Sequence, residues 1–85
     1  MNQAIQFPDR EVWDEARQCI AFPALVNGMQ LTCALTLTVL KKRLGGEEPA
    51  QWLAAFREHR WDLEDEAQDL ILDQQEDAQG WIWFS

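Results

Sequence analysis

Cations are scarce in this sequence. Seven lysines and arginines stand against fifteen aspartates and glutamates, a formal charge of −8. Such a balance opposes binding to phosphate backbones and to anionic membrane surfaces, so neither nucleic acid nor membrane is expected as a partner. The one basic cluster, Lys41-Lys42-Arg43, lies just before Gly45. It reads as the last turn of a short helix, where positive charge complements the dipole. Histidine, the usual general base near neutral pH, occurs once, at His59. Two cysteines without a CxxC spacing leave no redox or zinc pattern, and neither a phosphate loop nor a nucleophile elbow is present. Long apolar runs are missing too. The longest, Cys19 to Val26, is interrupted by Pro23 and is far too short to span a bilayer. The start, Met1-Asn2-Gln3, has no basic region followed by an apolar segment, so no secretory signal is expected and the cytoplasm is the default location. No catalytic, cofactor-binding or metal-ligating residue is assigned.

What is present is one well-marked hairpin. Asn27-Gly28 lies between two β-rich runs and favours a two-residue type I′ turn, whose central residues both take positive φ. The turn dictates the register: Val26 opposite Met29, Ala24 opposite Leu31, Phe22 opposite Cys33 and Ile20 opposite Leu35, all apolar and all on one side. The other side pairs Leu25 with Gln30, Pro23 with Thr32, Ala21 with Ala34 and Cys19 with Thr36, a mixed face. The two cysteines then point to opposite faces and are not expected to form a disulfide.

Shorter elements flank this hairpin. Ala4-Ile5-Gln6-Phe7 alternates and then meets Pro8, as a short edge strand does before a turn at Asp9-Arg10. Trp13 follows in a charged segment and is expected to fold back over the core edge, where it could cover Trp61. From Leu35 to Val39 the alternation could continue the strand, but Thr36 also fits an N-cap, and a short helix from Leu37 to Leu44 ended by Gly45-Gly46 is the reading adopted. Trp81-Ile82-Trp83-Phe84 reads as a terminal strand docked in the sheet, with the Trp pair on one face and Ile82 and Phe84 on the other.

The most regular stretch is Glu47 to Gln75, expected as one continuous helix with Pro49 in its first turn. At about 100° per residue, Trp52, Phe56, His59, Leu63, Ala67, Leu70 and Ile71 share one apolar stripe. Glu58, Asp62, Asp65, Glu66, Asp69 and Asp73 form an acidic ridge beside it with no cation among them. Trp61 and Leu72 fall opposite the stripe, where a helix lying on a single core carries polar residues. The rod would be about 43 Å long against a body of about 30 Å. The expected fold is a single α+β domain over residues 1–85: a small antiparallel sheet, made of the central hairpin with N- and C-terminal strands, packed against one long amphipathic helix and one short one.

The strings Phe7-Pro8-Asp9-Arg10-Glu11, Phe22 to Ala34, Gln51-Trp52-Leu53-Ala54, Phe56 to Glu64 and Gln79-Gly80-Trp81-Ile82-Trp83 carry a further signal. Over nearly its full length the chain resembles the YrdB-like family of small bacterial proteins, a domain of unknown function. That resemblance implies an α+β domain in the bacterial cytoplasm. It brings no agreed activity or catalytic residue to carry over.

The functional expectation is a small, non-catalytic protein-binding or accessory domain, a monomer or weak homo-oligomer, that offers Trp61, Leu72 and the carboxylates of Asp62, Asp65, Asp69 and Asp73 to a protein partner. Carboxylates on the outside of a straight helix cannot converge to enclose an ion, so strong metal binding is not expected there. The alternatives are a mimic of nucleic-acid charge built on the same ridge and, last, an enzyme using His59, which would need a deep apolar pocket around that side chain.

Overall fold

The computed structural model describes residues 5–85. In chain order its elements are β1 (Ile5–Gln6), β2 (Val12–Asp14), β3 (Cys19–Val26), β4 (Met29–Thr36), α1 (Leu37–Arg43), α2 (Pro49–Glu58), α3 (Arg60–Leu72) and β5 (Trp81–Trp83). The strands form one five-stranded sheet, and the architecture is α+β.

The β3–β4 hairpin has the predicted register at all eight pairs, from Val26 opposite Met29 to Cys19 opposite Thr36. Asn27 and Gly28 take φ of 52° and 83°, the positive values that a type I′ turn demands. A two-residue turn whose twist matches the strands leaves no slack for a register slip. Every odd shift would also expose the apolar set.

On one edge of β3, β1 pairs at Val26 and Leu25, and β2 pairs at Ala21, Ile20 and Cys19. Pro23 falls in the gap between them, where its missing N–H costs no ladder bond. The first strand therefore stops at Gln6, short of Phe7, while Ala4 lies outside the described residues. The Trp13 segment, expected only to fold back, is itself a strand. Trp13 lies against Trp52, with ring centroids 5.0 Å apart, so it covers α2 and leaves Trp61 uncovered.

The last strand corrects the expected all-antiparallel sheet. β5 pairs with β4 in parallel, Thr32 to Trp81 through Ala34 to Trp83, which makes the sheet mixed. Because α1, α2 and α3 intervene between β4 and β5, the chain crosses over and returns in the same direction, as parallel pairing requires. Ile82 and Phe84 enter the core, and Trp81 and Trp83 stack on the opposite face at 5.2 Å, as the alternation predicts.

Thr36 caps α1, its Oγ1 accepting from Val39 N at 3.4 Å, and Gly45 closes the helix with a bond to Leu40 O at φ +74°. The single rod expected over Glu47–Gln75 is instead two helices that begin at Pro49, end at Leu72 and are interrupted at His59. His59 has φ −104° and ψ 18°, outside the helical range. The stripe survives the break as Trp52 and Phe56 on α2, then Leu63, Ala67 and Ile71 on α3, all buried. His59 leaves the stripe and is exposed. These side chains meet Ile20, Phe22, Ala24, Cys33 and Leu35 from the sheet. α2 and α3 cover this one face together with Val39 and Leu40 of α1, and among the described residues no helix packs on the other.

Candidate functional site

On α3, Leu63, Ala67 and Ile71 repeat at four-residue spacing and bury one face. The opposite face follows from the same arithmetic. Trp61 and Leu72 are eleven residues apart, three turns, and so stand above one another about 16 Å apart along the axis. Trp61 is 83% exposed and Leu72 54%. Asp62, Asp65, Asp69 and Asp73 are exposed beside them. Among the described residues none of these four carboxylates forms an ion pair, and Asp73 accepts one bond, from Gln75 Nε2 at 2.9 Å. The six residues singled out from the sequence thus share one continuous helical surface.

Glu66, expected in the same cation-free ridge, behaves differently. Arg43 arrives from α1 and binds its carboxylate with both terminal nitrogens, at 2.9 Å through Nη1. The guanidinium also lies 5.7 Å over the Phe84 ring. A pairing over 23 positions has no local signature, which is why helical spacing alone missed it.

The break that aims Trp61 outward is held by a half-buried ionic node. Arg60, with 13% of its side chain exposed, donates to Glu64 Oε2 at 2.7 Å, to Glu11 Oε1 at 2.6 Å and to the Pro8 carbonyl at 3.0 Å. Asp9 adds a fourth contact at 3.1 Å, and Arg57 Nε reaches Glu11 Oε2 at 2.7 Å. Burial alone pushes the Glu11 carboxyl up, but the hydrogen bonds from Arg57 and Arg60 outweigh it and hold the group at about 2, against 4.5 for a free glutamate. Arg60 also lies 5.4 Å over the Phe56 ring, so the cation is drawn toward the core side as the helix changes course.

His59 sits at this joint in a surface cleft of about 320 Å³ lined by Arg57, Glu58, Arg60, Trp61 and Asp62. Four charged side chains and Trp61 surround the imidazole, an open mixed surface unlike the deep apolar pocket that the enzymatic reading required. Among the described residues no group of three or more His, Cys, Asp or Glu side chains is placed to hold a metal ion. No helix there is long and apolar enough to cross a membrane.

Sequence reasoning passed over the uncovered face of the sheet. Asp77 organises one end of it: its Oδ1 accepts from Gln79 N and Trp81 N, and its Oδ2 from Trp83 Nε1 at 3.1 Å. The backbone bond from Trp81, joined by that from the Trp83 indole, holds the Asp77 carboxyl below its usual range. Arg17 lies 4.8 Å over Trp81, which gives a fixed Arg17–Trp81–Trp83 stack. The mixed pairing of Pro23 with Thr32 and Leu25 with Gln30 was the sequence signal for a face that is neither core nor plain solvent surface.

Comparison with known proteins agrees with this architecture. The chain is 66% identical over 84 residues to the uncharacterized protein YrdB of Escherichia coli strain K12, covering 99% of each, and equally similar to YrdB of Shigella flexneri. It superimposes on the crystal structure of a protein of unknown function from Shewanella loihica PV-4 with a TM-score of 0.90 and 32% identity, over 99% of this chain and 94% of that one. A family model described as "Protein of unknown function (DUF1488)" matches residues 5–84, and the chain belongs to that family.

Proposed function

We propose that this protein is a non-catalytic docking module that presents the outer face of α3 to a basic segment of a protein partner. The observation that carries this reading is the Trp61 indole, 83% exposed on the helix face turned away from the core. A tryptophan there contributes nothing to the internal packing, and an exposed indole on the same helix face as an exposed leucine three turns away is the composition of an interface surface. Burying it would contribute on the order of 3 kcal/mol, about a hundredfold in affinity. The unpaired carboxylates of Asp62, Asp65, Asp69 and Asp73 favour a cationic partner and speed its encounter.

The test is capture of partners from a bacterial lysate by wild type and Trp61→Ala side by side, at low and high salt. A partner held at high salt by wild type and lost by the variant supports the reading, whereas identical catches from both proteins would remove it. A mimic of nucleic-acid charge is the second reading, favoured by the carboxylate row. It predicts capture that collapses with salt and is indifferent to Trp61, because screened charges act over only about 8 Å at physiological ionic strength.

A further inference from the structure

The sheet face turned away from the helices carries a groove of about 330 Å³. Ala21, Pro23 and Leu25 of β3 and Thr32 of β4 form its floor, Val12 of β2 its wall, and Arg10 stands at its mouth. Small side chains create the depression. Ala21 and Pro23 occupy positions where larger residues would fill it, and Val12 is left 55% exposed at its side.

Arg10 is the informative residue. Arg17, Arg43, Arg57 and Arg60 each hold a carboxylate, whereas among the described residues Arg10 holds none. In a chain with fifteen acidic residues against seven basic, an unpaired arginine is a choice of geometry rather than a lack of partners. The tight turn around it explains how. Asp9 and Glu11 are both taken up by Arg60, while Arg10 between them lines the groove on the open face. The mount is anchored as well: Pro8 O accepts both Arg10 N at 2.9 Å and Arg60 Nη2 at 3.0 Å. Asp14, which shares the Val12 face of β2, is already bound by Arg17 at 3.2 Å.

We infer that this groove is a binding site for a small amphiphilic carboxylate, with the apolar body on Ala21, Pro23 and Leu25 and the carboxylate on the Arg10 guanidinium. An apolar cleft with one placed cation fits an acid carrying a single ring or short chain, and the volume lies at the lower end of small-molecule sites. Guanidinium matches carboxylate as a two-pronged donor, which makes the head group specific. The overall charge of −8 does not forbid this. The four unpaired aspartates, Asp62, Asp65, Asp69 and Asp73, lie along α3, which packs on the other face of the sheet, and charges beyond a screening length of about 8 Å count for little. The site is separate from the α3 surface and stands or falls independently of it.

The test is a chemical-shift titration of the full chain with octanoate and with phenylacetate, using 1-octanol as the uncharged match. The proteins are wild type, Arg10→Gln and, as a control for net charge alone, Lys41→Gln. Saturable shifts at Val12, Ala21, Leu25 and Thr32 are expected with the acids, with a dissociation constant in the millimolar range or below. Arg10→Gln should weaken the acids about tenfold and leave 1-octanol unchanged, while Lys41→Gln should bind like wild type. Acid and alcohol binding alike, Arg10→Gln binding octanoate like wild type, or no saturable groove shift from either acid would each overturn the assignment.

Discussion

Replacing Glu11 by glutamine keeps the size and shape of the side chain and removes the charge that joins Arg57 and Arg60. In the folded protein the Glu11 carboxyl is held at about 2, against 4.5 for a free glutamate. At about 1.4 kcal/mol per pH unit that gap corresponds to roughly 3 kcal/mol. Arg57 is 58% exposed and its contact is screened by solvent, so about 2 kcal/mol is the expected contribution. Arg60, which is half-buried, keeps Glu64, Asp9 and the Pro8 carbonyl in the variant, which prevents the larger loss that follows when a desolvated cation is fully abandoned. The direction with pH is set by the depressed value. The stabilisation is fully present above about 4.5 and is lost as the pH falls toward about 2, because the unfolded chain takes up the proton first. Urea unfolding of both proteins, followed by tryptophan fluorescence at a series of pH values, measures the difference directly. Other carboxylates titrate in both proteins and cancel. The expected result is a gap of about 2 kcal/mol at pH 7 that closes progressively below pH 4.5, where protonated glutamate and glutamine become near-isosteres. A gap that stays constant down to pH 2.5, or none at pH 7, would refute the node as an ionic clamp.

Three other outcomes follow from the packing. Deleting residues 81–85 removes buried Ile82 and Phe84, on the order of 3–6 kcal/mol of burial against a total stability of about 4–13 kcal/mol. The truncated chain should lack a cooperative thermal transition by circular dichroism, and one that melts like the full chain would contradict the docking of β5. Gly46→Ala should lower the melting temperature by about 5 °C or more, since Gly46 has φ +98° and an added Cβ would lie 3.0 Å from Trp52 Cδ1. An unchanged melting curve would show that the loop shifts freely. Burial pushes the Cys33 thiol up to about 12, so thiol-reactive dye at pH 8 should label it only as fast as the chain unfolds, and rapid labelling of the native protein would place it nearer the surface.

The sequence by itself determined the parts whose causes lie within a few residues. Asn27-Gly28 selects the turn, the turn selects the register, and the register sends Cys33 inward and Cys19 to the opposite face. Thr36 and Gly45 bound α1 in the same local way. The alternation of Trp81 to Phe84 divides that strand between two faces, and the α3 spacing puts Trp61, Leu72 and the four aspartates on one exposed surface. What only the tertiary structure decided depends on residues far apart in the chain. Helical spacing carries no mark of the break at His59, because Arg60 takes its partners from Pro8, Asp9 and Glu11 some fifty positions away. The parallel direction of β5, the pairing of Arg43 with Glu66 and the meeting of Trp13 with Trp52 are likewise choices among many partners of similar local appeal. A pattern read along one element states which side must be covered. Which distant residue covers it is settled only when the whole core closes, since that choice is a competition among long-range contacts whose loop-closure cost grows slowly with separation.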